Sequence, residues 1–356
     1  MTPASPSPST GSAIDEFEFL CVARFLDTEI DARAIDSALR LGLLDVLLAD
    51  GPTALPMLAA RHRLNPTGLR LLLDILETNG VVARRGDRIA LTTEFRTALR
   101  YRDLLLMRIE FADLVWPDIH NLFTELLTDP RQFMARSRVF ELFRYDRCLD
   151  ITPANLEATR RWTKFTTCLT RYEAGAAWSR VGLAGVRDFV DLGGNTGEFA
   201  LQACRRNPAL RAVVVDLPVV CEIGRRHVAE MPDDEAQRIA FFASDLREGA
   251  LPAPADLVAF KSVLHDWPDD DARRLLARAG RIVRPGGRLL IFERAAIDFR
   301  GRRIPYALAP ELAFLHFLRP ADLYLATLGE LGFVAIEHRQ LALEMDYHLI
   351  TARRPA

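Results

Sequence analysis

No stretch of the 356 residues approaches the ~20 consecutive apolar residues that a membrane-spanning helix requires, so a membrane is not an expected partner. Charge of one sign is also missing: 46 basic and 48 acidic residues leave a net charge of −2, which offers no general attraction to nucleic acid. Cysteine is scarce and unpatterned. Cys21, Cys148, Cys168, Cys204 and Cys221 show neither a paired metal spacing nor the framework of a small disulfide scaffold, so free thiols and a cytoplasmic location are expected. Met1 to Ser12 is rich in Pro, Ser and Thr but lacks the basic start and apolar run of a secretion signal, and residues 1–13 read as a disordered tail. The full dinucleotide fingerprint G-x-G-x-x-G is absent as well.

What is present is ample core material. Apolar residues make up 49% of the chain, and the length suggests roughly two domains. Residues 16–50 read helical, with Ile35, Ala38, Leu39, Leu41, Leu43, Leu44, Val46 and Leu47 at helical spacing. A short helix is expected from Thr53 to His62, and another from Asn65, which supplies an N-cap ahead of Pro66 at the first helical position. Two short strands then flank the Gly86-Asp87 turn, completing a winged helix-turn-helix pattern over residues 14–110. The would-be recognition helix carries Arg70 against Asp74 and Glu77 and lacks a basic face. Dimerisation, not DNA binding, is therefore the expected role, and the expected partner is a second copy of the chain. Residues 111–180 form an aromatic-rich helical region that supplies core and part of a substrate cavity. Arg144, Arg147 and Arg171 lie within it as candidate forks for a substrate carboxylate.

From Val181 onward apolar strand runs alternate with helical ones: Phe189-Val-Asp, Ala212-Val-Val-Val, Ala240-Phe-Phe-Ala, Leu257-Val-Ala-Phe and Arg288-Leu-Leu-Ile-Phe. This argues an α/β fold with a mostly parallel, doubly wound sheet over residues 181–356, closed by a strand pair around Phe333 and Tyr347. The first strand leads into Asp191-Leu-Gly-Gly-Asn-Thr-Gly197, where Gly193, Gly194 and Gly197 permit a sharp bend and close approach of a ligand to backbone N–H groups. Asn195 is tolerable in a left-handed conformation. The second strand ends in Asp216 about 20 residues later, as expected for a carboxylate that accepts hydrogen bonds from ribose hydroxyls.

With Asp216-Leu-Pro218, Ser244-Asp-Leu246, Lys261-Ser-Val-Leu-His-Asp-Trp267 and Arg284-Pro-Gly-Gly-Arg288 following in order, the chain resembles the plant-type, caffeate O-methyltransferase-like superfamily of S-adenosylmethionine-dependent methyltransferases over nearly its full length. The resemblance implies a winged-helix dimerisation domain, a Rossmann-like catalytic domain and a small-molecule substrate. It implies that Asp191, Gly193, Gly194, Asp216, Leu217, Ser244, Asp245, Leu246 and Lys261 bind the cosubstrate. In the phenolic O-methyltransferases the residue matching His265 is a general base, and Glu293 matches the first of two glutamates that support it. The second glutamate's segment has no counterpart here. His316 appears close to where it would stand.

His265, Asp266 and His316 would then supply two imidazoles and one carboxylate to an iron or zinc ion. That set resembles the metal-dependent branch that methylates the β-carbon of 2-oxo acids, in which a Lewis acid stabilises an enolate. Metal-assisted C-methylation is the first expectation, with His265, Glu293 and Arg147 as catalytic residues and Arg147 on the substrate carboxylate. The alternative is metal-free O-methylation of a phenol, with His265 as base.

Overall fold

A computed structural model describes residues 16–62, 64–301 and 303–356, so the expected tail at 1–13 lies outside the described residues. The long apolar run near the N-terminus does not form one helix. It divides into a 3-10 helix, Glu18–Phe25, and two α-helices, Glu29–Arg40 and Leu43–Ala49. Thr28 and Asp31 cap the second reciprocally, and Gly42 separates it from the third at φ +70°, a conformation in which a Cβ is costly. Asn65 caps Pro66–Thr78 as expected, its side chain accepting from the N–H of Thr67 at 2.8 Å and of Gly68 at 3.3 Å.

Three antiparallel strands follow the order β1 (Thr53–Ala54), β3 (Arg88–Leu91), β2 (Val82–Arg85). The helix expected from Thr53 therefore starts only at Leu55, because Thr53 and Ala54 pair with Ile89 and Arg88. Beyond the hairpin runs a 27-residue helix, Arg102–Thr128, interrupted at Leu122, next to Asn121, whose side chain donates to the Pro117 carbonyl at 2.7 Å. Shorter helices, a turn at Tyr145–Cys148 and the helix Pro153–Trp178 complete the roof.

The larger sheet contains β4 (Asp188–Leu192), β5 (Arg211–Asp216), β6 (Ile239–Ala243), β7 (Ala255–Lys261), β8 (Val283–Arg294), β9 (Val334–Ala342) and β10 (Asp346–Arg353). Its order is β6-β5-β4-β7-β8-β10-β9; the first five are parallel and β10 runs against both its neighbours. The strand runs read from the sequence all occur. Trp178, Phe199 and Phe292 pack one face, and Leu275, Leu276 and Tyr324 the other. Strand order reverses beside β4, so the carboxyl ends of β4 and β7 open a crevice in which ligands of such sheets bind. Among the described residues no helix is long and apolar enough to cross a membrane.

Candidate active site

At that crevice β4 ends and the backbone bends through Gly193 at φ +71°, Asn195 at φ +55° and Gly197 at φ +84° before the helix Glu198–Arg206. Glycine is required at the first two turn positions for space. A Cβ on Gly193 would fall 2.6 Å from Val263 Cγ2, and one on Gly194 2.5 Å from Asp191 Oδ2. Asp216 closes the turn from β5: its Oδ2 accepts from the N–H of Asn195 at 2.8 Å and its Oδ1 from that of Leu217 at 2.7 Å. Asp191, Gly193, Gly194, Asn195, Asp216 and Leu217 line one cavity of about 370 Å³, together with Ser244, Asp245, Leu246 and Lys261. All nine residues assigned to the cosubstrate thus come together. Ser244 is held by its N–H on the Asp216 carbonyl, and Asp245 is gripped by Arg247, whose guanidinium lies 4.7 Å from the centre of the Trp267 ring.

Asp191 carries the clearest sign of a cationic ligand. Its carboxylate is fully buried, and neither oxygen has a hydrogen-bond partner. Burial, and then the charge of Asp216, push its pKa up from 3.8 to about 7, against the opposing pull of Lys261. Such an orphaned carboxylate beside a glycine turn fits S-adenosylmethionine, whose ammonium and sulfonium groups are positive. Asp216 faces the same cavity and is raised to about 6 by burial.

A pH dependence follows. Binding a cation draws Asp191 into its ionised form, so cosubstrate affinity measured by calorimetry should fall as pH drops below about 7. The raised pKa also means that Asp191 favours the folded, ligand-free protein at acid pH and that this contribution is lost as pH rises to about 7. Asp191→Asn should therefore stabilise the ligand-free protein near pH 8 by roughly 1–2 kcal/mol while weakening cosubstrate binding. A destabilised variant with unchanged affinity would refute this reading of Asp191.

Beside the cosubstrate residues, Glu293 at the end of β8 organises the base. Its Oε1 accepts from the N–H groups of Val263 and Leu264, both at 2.8 Å, and its Oε2 takes Nδ1 of His265. Nε2 is thereby left clear of Glu293, 3.4 Å from Asp266 Oδ1; Val263, Asp266 and Trp267 around the ring line the cavity, and His265 itself does not. Burial lowers the imidazole pKa, but the charges of Glu293 and Asp266 outweigh it and hold the value above 6.5. Asp266 lines the cavity, and its Oδ2 accepts from the Tyr145 hydroxyl at 2.8 Å.

Two expectations need correction. His316 does not join His265 and Asp266: it follows the 3-10 helix Tyr306–Phe314 and turns into the helical layer, Nε2 on the Leu126 carbonyl at 2.7 Å. Among the described residues no group of three or more His, Cys, Asp or Glu side chains could hold a metal ion, so the residues present do not fit the iron or zinc centre. Arg147 also stays away from the cavity, pairing with Glu141.

Two arginines do line the cavity: Arg247, which grips Asp245, and Arg294, one residue past Glu293. Arg294 donates to Ser262 Oγ at 2.9 Å and to Glu173 Oε1 at 3.1 Å. Glu173 also receives Lys261 Nζ at 2.6 Å and the Tyr347 hydroxyl at 2.6 Å. Burial alone would raise the Glu173 pKa, yet Lys261 and Arg294 together bring it down to about 2. Glu311 continues the chain of charges to Arg108, which pairs with Glu344. Apart from Lys261, sequence reasoning missed these side chains. An ionisable residue inside the small-residue run Tyr172-Glu-Ala-Gly-Ala-Ala177 was the available signal.

Comparison with known proteins agrees with this geometry. Residues 157–315 match the family model for the O-methyltransferase domain. Acetylserotonin O-methyltransferase of Bos taurus is 37% identical over 169 residues, 46% of this chain and 47% of that protein. Its counterpart from Gallus gallus is 26% identical over 334 residues, 87% and 90% of the two chains. The crystal structure of human N-acetylserotonin methyltransferase in complex with SAM has the same fold, with a TM-score of 0.70 at 21% identity, covering 98% of this chain and 100% of that one. The chain spans about half the length of the first curated relatives that it matches. These matches support the S-adenosylmethionine-dependent methyltransferase class. Within it they support the O-methyltransferase type.

Proposed function

We propose that this protein transfers a methyl group from S-adenosylmethionine to a hydroxyl oxygen of a small phenolic acceptor, with His265 as general base. The observation that carries the reading is the anchoring of His265: Nδ1 is bound by a glutamate that two backbone N–H groups hold, which orients Nε2 for proton abstraction. The relatives named as O-methyltransferases support transfer to oxygen. Bound at the glycine turn, S-adenosylmethionine supplies an electrophilic methyl group on a sulfonium. Asp216 would hold its ribose, Asp191 would balance its charge, and Lys261 and Asp245 would flank it. His265 takes the acceptor's proton at Nε2 as the O–C bond forms and the C–S bond breaks. Glu293 then stabilises the imidazolium, while Trp162 and Trp267 bound the cavity with apolar faces and keep water from the methyl group.

We assign homodimerisation to the N-terminal unit 14–110, where Ile30, Met57 and Leu71 are large apolar side chains left exposed on the single chain. All five cysteines are free and four are buried, which supports a cytoplasmic location.

The test is a methyl-transfer screen over phenols and 2-oxo acids, with and without a chelator. Phenol methylation should persist in chelator, and His316→Ala should leave it within about threefold, because that side chain bonds a distant carbonyl. Methylation confined to the carbon of 2-oxo acids, and lost in chelator, would overturn the proposal.

A further inference from the structure

We propose that Tyr145 is a positioning residue for methyl transfer: its hydroxyl fixes Asp266 so that Nε2 of His265 stays open to the acceptor. The inference rests on the O-methyl transfer reading.

Tyr145 opens the turn Tyr145–Cys148 in the roof, 121 residues before its partner Asp266, and both side chains line the cavity. Its ring is wedged between Trp162, 5.7 Å away and edge-on, and Trp267, 6.2 Å away. Cys148, at the other end of the turn, ties down to Thr159 on the helix Pro153–Trp178. The ring is therefore set by packing, and the hydroxyl is free to specify one contact, the 2.8 Å bond to Asp266 Oδ2.

The consequence lies in the other oxygen. Asp266 Oδ1 sits 3.4 Å from Nε2, so a small rotation of an untethered carboxylate would place an oxygen at hydrogen-bond distance from that nitrogen. His265 would then be held protonated between two carboxylates, Glu293 on one side and Asp266 on the other, and could not take a proton from the acceptor. Tyr145 opposes that rotation by satisfying Oδ2. The charged groups surrounding the pair are Glu293 and Arg294 from β8 and Asp216 from β5, and no bond from any of them reaches Asp266. Arg319 donates to the backbone carbonyls of His265 and Trp267 and pairs with Asp269 at 2.8 Å, with no bond to the Asp266 carboxylate.

Four proteins test this: the wild type, Tyr145→Phe, Asp266→Ala and the double variant, each assayed for kcat and KM on a phenolic acceptor, for S-adenosylmethionine affinity by calorimetry and for Tm. Tyr145→Phe keeps the ring between its two tryptophans, so affinity and Tm should hold, while kcat falls by about tenfold and acceptor KM moves less than about threefold. In the Asp266→Ala background the same change should cost less than about twofold, because the partner through which it acts is gone. An undiminished kcat in Tyr145→Phe, or an equal loss in both backgrounds, would overturn the proposal. If Asp266→Ala fails to fold, the split between kcat and KM in Tyr145→Phe decides alone. A wild type that methylates no phenol overturns the O-methyl transfer reading and this inference with it; a wild type that does so tests the inference separately.

Discussion

Replacing His265 with Asn should lower kcat for phenol methylation by about 10²–10⁴, the usual worth of a positioned general base, and leave S-adenosylmethionine affinity nearly unchanged. Asparagine still offers a donor toward Glu293, so the carboxylate buried there keeps a partner and the variant should fold. The cosubstrate residues depend on the glycine turn and on Asp216, neither of which bonds His265. The wild-type pH profile should agree. A base must be neutral to act, and Glu293 and Asp266 hold the imidazole pKa above 6.5, so activity should rise with pH through a midpoint above that value. Retention of more than about a tenth of the activity in His265→Asn would remove His265 from the role of base.

The parts of this molecule that were legible in its sequence are those decided locally. The Asn65 cap and Pro66 start need only the next three residues, and the turn from Asp191 to Gly197 is specified by glycines whose missing Cβ atoms are visible in sequence. The strand runs of the large sheet are legible because both faces of a parallel sheet are buried. Thr53–Ala54 was misread because a two-residue strand exists only through its pairing with β3, which helical spacing cannot register.

The candidate site divides in the same way. His265 and Glu293 were readable as a motif and as a strand end. What surrounds them was not: Tyr145 reaches Asp266 across 121 positions, and Glu173 reaches Tyr347 across 174. His316 shows the converse error, since nearness along the chain to an expected position says nothing about direction. A 3-10 helix precedes it, and the side chain points to Leu126.

The long-range contacts carry the largest expected effect on stability. Glu173→Ala would leave Lys261, Arg294 and the Tyr347 hydroxyl facing an empty site in the interior, and losing one member of a buried ion cluster costs about 3–5 kcal/mol. Most of that cost comes from the two cations, which remain desolvated when their shared carboxylate is gone. The midpoint of thermal unfolding should fall by about 5–15 °C. The effect must also depend on pH in one direction. The folded-state pKa of Glu173 is depressed from 4.5 to about 2, so its contribution is complete above about 4.5 and disappears as pH falls toward 2. The gap between wild type and Glu173→Ala in urea unfolding should therefore be wide at neutral pH and close through that acid window. Changing Lys261 to Met in the same protein should recover part of the loss, since an apolar side chain of similar volume carries no charge to strand. A gap of under about 1 kcal/mol at neutral pH would mean that water or a rearranged Glu311 can take the place of Glu173, and that the cluster is not what holds Lys261 and Arg294 at the edge of the cavity.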